Sequence, residues 1–239
     1  MRTRYLYPLL LGAVCPVGAM AAEAQIYGRV HVSADYLNAV SGDEGGNLSS
    51  NSSRIGFRGN TEVSDALTAL WQVEIGIDVD NGSALASDRN TFGGLSGKWG
   101  QVRAGRFDTP YKLLHSRTSL FSDQVGDGRN ILRTDVAYND PGGAADPNWW
   151  NERMRNSVAY TSPAWHNLIG NVQYSTNQDS GTATESAQGS WSGSLEWSHK
   201  GLWLAVGHED STKEIFGTTI AEREATRVAL SWQLGDTRL

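Results

Sequence analysis

The feature that most constrains this chain is an alternation of apolar and polar side chains with a period of two, sustained over long segments. In "IYGRVHVSADYLN", Ile26, Gly28, Val30, Val32, Ala34 and Tyr36 take one face, and Tyr27, Arg29, His31, Ser33 and Asp35 take the other. In "LTALWQVEIGID", Leu67, Ala69, Trp71, Val73, Ile75 and Ile77 oppose Thr68, Leu70, Gln72, Glu74, Gly76 and Asp78. The same period recurs in "LIGNVQYST", "LWLAVGHED" and "TRVALSWQL". Successive side chains of a β-strand point to opposite faces, so this period predicts strands. Their length of about nine to twelve residues is roughly twice that of a typical soluble strand and fits a tilted strand crossing a bilayer. About ten strands are predicted, near 26–38, 53–60, 66–79, 88–97, 100–108, 154–162, 167–176, 190–200, 202–210 and 223–234.

A soluble sandwich also alternates, but two properties argue against one. The polar faces are heavily ionised, with Arg29, Asp35, Glu74 and Asp78, which suits walls facing enclosed water. The connections also alternate in length: "TEVSDA" is brief, whereas the segments from Asn38 to Ser53 and from Pro110 to Arg153 are long. Membrane barrels have short turns at one end and long loops at the other. The expected fold class is therefore all-β, a transmembrane antiparallel β-barrel.

Composition agrees. The 239 residues include 27 Gly but only 6 Pro, and the 9 Trp and 8 Tyr outnumber the 5 Phe. Trp and Tyr suit the boundary between an apolar and a wet phase. Tyr36, Trp99, Tyr160, Trp165, Trp191 and Trp203 lie near predicted strand ends, as an interface belt or as contacts between subunits. The N-terminus has Arg2 and Arg4, an apolar run from Leu9 to Val17, and small residues from Ala19 to Ala24, the pattern of a secretory signal peptide over residues 1–24. A lipid anchor on Cys15 is the alternative, weakened by Val14 where a small residue belongs. Cys15 is the single cysteine, so the exported chain would hold no disulfide. Setting residues 1–24 aside removes two arginines and one glutamate and takes the formal charge from −6 to −7, which disfavours nucleic acid as a partner.

Four ordered stretches resemble the Gram-negative general porins of the neisserial and Burkholderia type: "AQIYGRVHVSADY", "SSRIGFRGNTEVSDALTALWQVE", "DRNTFGGLSGKWGQVRAGRFDTPYK" and "ERMRNSVAYTSPAWHNLIGNVQYS". The resemblance implies a sixteen-stranded barrel of the cell outer membrane, usually a homotrimer, whose third long loop folds into the lumen as a constriction. It maps that loop onto residues 111–153. Family members end on a strand with a terminal aromatic, whereas this chain ends "SWQLGDTRL", so the barrel over residues 25–239 is expected to be incomplete, lacking about six strands.

A pore needs ionised groups around a wet passage. Arg29, Arg54, Arg58 and Arg103 are the candidates for a basic wall. Arg54 and Arg58 flank Gly56 on the face opposite Ile55 and Phe57, and an arginine facing mid-bilayer lipid would cost about 2–4 kcal/mol, which assigns them to the lumen. Arg106 has the parity of Val102 and Ala104, so it either lies at the membrane edge or is turned inward by a bulge at Gly105. The resemblance adds Asp123, Asp127 and Arg129 as constriction-loop residues. Glu74 and Asp78 are either lumen acids or partners of the wall arginines. His31, His115, His166, His199 and His208 are too scattered for a metal site or a triad, and no catalytic residue, metal or cofactor is expected. The expected function is passive diffusion of ions and small hydrophilic solutes, with outer-membrane lipid around the wall. A non-conducting structural or adhesive barrel is the alternative.

Overall fold

The computed structural model describes residues 23–38, 44–86, 89–124, 126–129, 153–176, 189–215 and 219–238. The signal-peptide expectation and the remainder of the anticipated loop, residues 130–152, lie almost wholly outside them. The strands are β1 (Glu23–Arg29), β2 (Val32–Asn38), β3 (Glu44–Ser50), β4 (Arg54–Ser64), β5 (Leu67–Asp78), β6 (Ser83–Ala86), β7 (Thr91–Gly97) and β8 (Gly100–Asp108). A helix, α1 (Pro110–Thr118), precedes β9 (Arg153–Thr161), β10 (Leu168–Ser175), β11 (Ser190–His199), β12 (Leu202–Ile215), β13 (Thr219–Leu234) and β14 (Thr237–Arg238). The structure is thus largely an antiparallel sheet. One twelve-stranded sheet runs β1-β4-β5-β7-β8-β9-β10-β11-β12-β13-β14, with β6 beside β5, and β2 and β3 form a separate hairpin.

The side chains are distributed inside out. One row of directly opposed residues, Ala159, Gln173, Ser192 and Glu209, crosses β9 to β12 and is buried throughout. The opposite face exposes Val158, Val172, Leu195, Leu204, Val206, Val228 and Leu230. A contiguous apolar exterior on long strands needs hydrocarbon around it, and a small, polar interior needs something wet or hydrogen-bonding within.

Part of what fills the interior is α1. Thr109 caps it by accepting from Lys112 N at 3.2 Å, Pro110 opens its first turn, and Ser119 N–H closes it onto His115 O. The helix lies against the inner faces of β10, β11, β12 and β13. Leu114 joins Trp203, Ala205 and Ala229 in a buried cluster. Gly207 provides the seat: a Cβ there would come within 2.7 Å of Leu114 Cδ1.

Four expectations are corrected. The predicted strand 26–38 is two strands. At the break, His31 N donates to Ser53 Oγ at 3.0 Å and Asn51 N donates to His31 O at 2.8 Å, so β1 stays with β4 while β2 leaves with β3. The long connection from Asn38 to Ser53 therefore contains a strand. The connection after Pro110 begins with a helix, and "TEVS" belongs to β4.

The kink near Arg106 also has a definite form. Gly105 adopts φ 142°, a conformation open chiefly to glycine. Register with β7 is continuous through Arg106, but register with β9 shifts between Gly105 and Phe107. The extra residue lies on β9, where Asn156 has φ 49°, so the bulge belongs to the neighbouring strand.

Two substitutions probe this arrangement. Val172→Arg, at the centre of β10 on the outer face, should cost about 2–4 kcal/mol, read as a lower urea midpoint for folding in lipid vesicles. Gly207→Leu should unseat α1 while leaving the strands intact, read as protease cleavage within residues 110–118 with unchanged β-sheet circular dichroism.

Candidate functional site

Three successive rows of inward positions cross β1, β4 and β5. Gln25, Arg58 and Gln72 form the first, continued by Phe92 on β7. Tyr27, Gly56 and Glu74 form the second, and Arg29, Arg54 and Gly76 the third. Arg29 and Arg54 are therefore directly opposed, an unfavourable pairing unless each has an anion of its own.

Each has one. Arg54 Nε lies 3.4 Å from Glu74 Oε2. Glu74, only 5% exposed, also binds Arg89 Nε through Oε1 and accepts from Tyr27 Oη at 2.9 Å. Tyr27 reaches Glu74 by lying across Gly56, where any Cβ would overlap its ring. Arg29 Nη2 lies 2.7 Å from Asp123 Oδ2, which brings the segment after α1 onto β1.

Asp123 and Asp127 organise that segment. Arg129 Nη2 binds Asp123 Oδ1 at 2.6 Å, and its Nε donates to Asp127 Oδ2 at 2.8 Å. Asp127 Oδ1 accepts from Arg129 N at 2.9 Å and lies 2.9 Å from His115 Nε2 on α1, while Oδ2 accepts from Asp123 N at 2.7 Å. Gln124 Nε2 meets His31 Nε2 at 2.9 Å. The base of the segment is held at Asp108, which binds Lys112 Nζ at 2.8 Å and Arg153 Nε at 3.1 Å. On the far wall, Arg227 donates to Tyr111 O at 3.2 Å and stacks on the Tyr111 ring.

Electrostatics favour the seated segment. Burial alone would raise the Asp127 carboxyl, but hydrogen bonds from the Arg129 side chain and backbone and from Asp123 N outweigh it and hold the group below the usual carboxylate range. Burial likewise opposes ionisation of Asp123, and its hydrogen bonds to Arg129 and Arg29 prevail. Burial lowers His115 despite the Asp127 carboxylate, so His115 is neutral near pH 7.

The wall arginines divide into two sets. Arg29, Arg54, Arg89 and Arg129 share three carboxylates, Glu74, Asp123 and Asp127, in one belt with a surplus of a single positive charge. Arg58 and Arg103 have no ion-pair partner among the described residues. Arg58 Nε donates to Gln25 Oε1 at 2.8 Å, with its guanidinium over the Tyr27 ring. The Arg103 guanidinium sits 4.8 Å from the Phe107 ring centre and 5.3 Å from that of Phe92. Arg106 is half-buried beside the bulge, and Asp78 is exposed at the end of β5.

Sequence reasoning missed Tyr27, Arg89, His31 and His115 as members of this network. Parity placed Tyr27 and His31 inward with Arg29, which was the available signal. Arg89 precedes β7 in an irregular turn and carries no periodic signal. Among the described residues, no three His, Cys, Asp or Glu side chains group to hold a metal.

A long-stranded antiparallel sheet with an apolar exterior and an ionised interior crossed by its own loop defines the porin class of membrane β-protein. The chain belongs to the Gram-negative porin family, whose model matches residues 9–239. It is 28% identical over 182 residues to major outer membrane protein P.IB of Neisseria gonorrhoeae, covering 73% of this chain and 49% of that protein. With P.IB of Neisseria lactamica it shares 25% identity over 229 residues, covering 90% and 63%. The chain spans about half the length of the first of these relatives. Its fold is similar to that of an anion-selective porin from Comamonas acidovorans, with a TM-score of 0.73 at 22% identity over 91% of this chain and 65% of that one. It is also similar to OmpF of Salmonella typhi, with a TM-score of 0.63 at 17% identity, covering 91% and 64%. Family membership places the chain among outer-membrane proteins of Gram-negative bacteria.

Asp127→Asn should release the segment from its seat, at a cost of about 3–5 kcal/mol for breaking a buried pair, read as protease cleavage between Ser119 and Arg129 at pH 7. Acid should do the same to the parent chain. A neutral buried His115 loses stability as pH falls below about 6.5, where the released form takes up a proton first. The depressed Asp127 contributes fully above about pH 4 and loses its contribution as pH falls towards its lowered folded-state value. Protease sensitivity measured against pH should therefore rise in two steps.

Proposed function

We propose that the protein forms a water-filled outer-membrane channel for passive diffusion of ions and small hydrophilic solutes. The observation that carries this reading is the belt of four arginines and three carboxylates on the inner wall and the segment crossing it. Ionised groups at this density fit a wet passage, and an apolar exterior fits hydrocarbon. Closure of the sheet into a barrel, with sixteen strands as in the family, completes the reading. An open edge in a bilayer would leave backbone N–H and C=O groups without partners. Residues 111–153 then act as the constriction loop, residues 1–24 as the export signal, and three copies as the assembled channel, with lipid around the outer faces.

The preferred ions are anions. The belt keeps one surplus positive charge, and Arg58 and Arg103 add two charges without ion-pair partners among the described residues. The similarity to a porin described as anion-selective agrees with this preference.

Planar-bilayer recording tests both statements. Stepwise conductance in potassium chloride is expected, and a stable inserted protein that carries no current would instead support a structural or adhesive barrel. Arg103→Glu should move the reversal potential towards that of a cation-preferring channel. An unchanged reversal potential would place Arg103 outside the conducting path.

A further inference from the structure

The first row of inward residues, below the belt, is unlike the other two. Gln25, Arg58, Gln72 and Phe92 stand directly opposite one another on four neighbouring strands, and the row ends at Gly105, which adds no side chain beside Phe92. With Ser96 and Gln101 on the same wall they line a cavity of about 420 Å³, within the range of about 300–1,000 Å³ typical of small-molecule sites. No carboxylate lines it.

The donor and acceptor pattern is specific. Arg58 spends Nε on Gln25, which leaves the paired Nη donors of a charged fork for a ligand. Gln25 Oε1 is occupied by that bond, so its amide N–H groups remain available. Gln72 Nε2 donates to Tyr27 Oη at 2.8 Å, so its carbonyl oxygen remains available as an acceptor. Gln101 and Ser96 supply a further amide and a hydroxyl. The Phe92 ring supplies an apolar surface at the end of the row. A lone inorganic anion would use only the donors and leave the Gln72 carbonyl oxygen and the Phe92 ring idle, and an uncharged sugar would leave the fork without its counter-charge. A small polyhydroxy carboxylate uses all of it: carboxylate on Arg58, hydroxyls on the glutamines, C–H face on Phe92.

We infer that the Gln25–Arg58–Gln72–Phe92 row is a binding subsite for a small hydroxycarboxylate of the sugar-acid class. The inference rests on the channel reading only for how the solute arrives. The nearly balanced belt above it, with its single surplus positive charge, sorts charge weakly, and the row below holds the solute briefly by shape and hydrogen bonding.

Calorimetric titration of the full chain folded in detergent micelles, with gluconate, glucose and chloride as probes, decides it. Gluconate should bind saturably and at least about tenfold more tightly than glucose or chloride, and Arg58→Gln should weaken gluconate about tenfold or more through loss of a charged hydrogen-bond partner. Arg58→Lys, which keeps the charge but not the fork, and Phe92→Leu should each fall between parent and Arg58→Gln. Absence of saturable gluconate binding by the parent chain, equal binding of glucose or chloride, or undiminished binding by a folded Arg58→Gln would overturn the subsite. Chloride conductance of the parent reports the channel separately. Conduction without gluconate binding removes the subsite alone, and gluconate binding without conduction removes the channel alone.

Discussion

Everything in this molecule depends on keeping ionised side chains away from hydrocarbon while keeping every backbone N–H and C=O paired. A bilayer permits neither a lipid-facing charge at its centre nor an unpaired backbone group without a penalty of several kcal/mol. Long strands with a strict two-residue period satisfy both demands together. The ladder pairs the backbone, and alternation sends Val172, Leu204 and Val228 outward and Gln173, Glu209 and Arg227 inward. The inner face is then a surface on which arginines can be placed close together.

Such placement creates a second problem, solved locally. Arg29 and Arg54 face each other across β1 and β4, and repulsion between them is offset by anions from two different sources. Glu74 comes from the wall itself, and Asp123 comes from the segment that crosses the interior. The same carboxylate that neutralises the wall therefore also fixes the segment. Charge compensation and the seating of the segment are one interaction viewed from two sides. The belt is nearly balanced, so the cationic charge without an ion-pair partner among the described residues lies outside it, on Arg58 and Arg103.

The wall was legible in the sequence because a strand's facing is a local property. Parity alone placed Tyr27, Arg29, Glu74 and Arg103 inward, and the period marked β4, β5 and β7 to β11 to within a few residues, stopped short on β12 and β13, and passed over the short β6 and β14. The break at Val30 and His31 was not legible, because it is made by Asn51 and Ser53 arriving from the connection between β3 and β4, while the alternation continues undisturbed through it. Helix α1 left a signal that a strand-based reading passes over: Thr109 followed by Pro110 is a helix start. The pairing of Arg29 with Asp123 spans 94 positions and that of Tyr111 with Arg227 spans 116, distances over which no spacing rule operates. The bulge was anticipated from Gly105, but the extra residue is Asn156 on the facing strand, whose partner no local pattern identifies.

Those long separations bear on the order in which the molecule is assembled. The crossing segment is anchored at β8 through Asp108, at β13 through Arg227, and at β1 through Arg29, near the beginning, middle and end of the described chain. Neighbouring strands can pair hairpin by hairpin as the chain is supplied. The segment has no complete seat until β1, β8 and β13 are all in place, and contacts of such separation are slow to form. The wall is therefore the template on which the segment settles last.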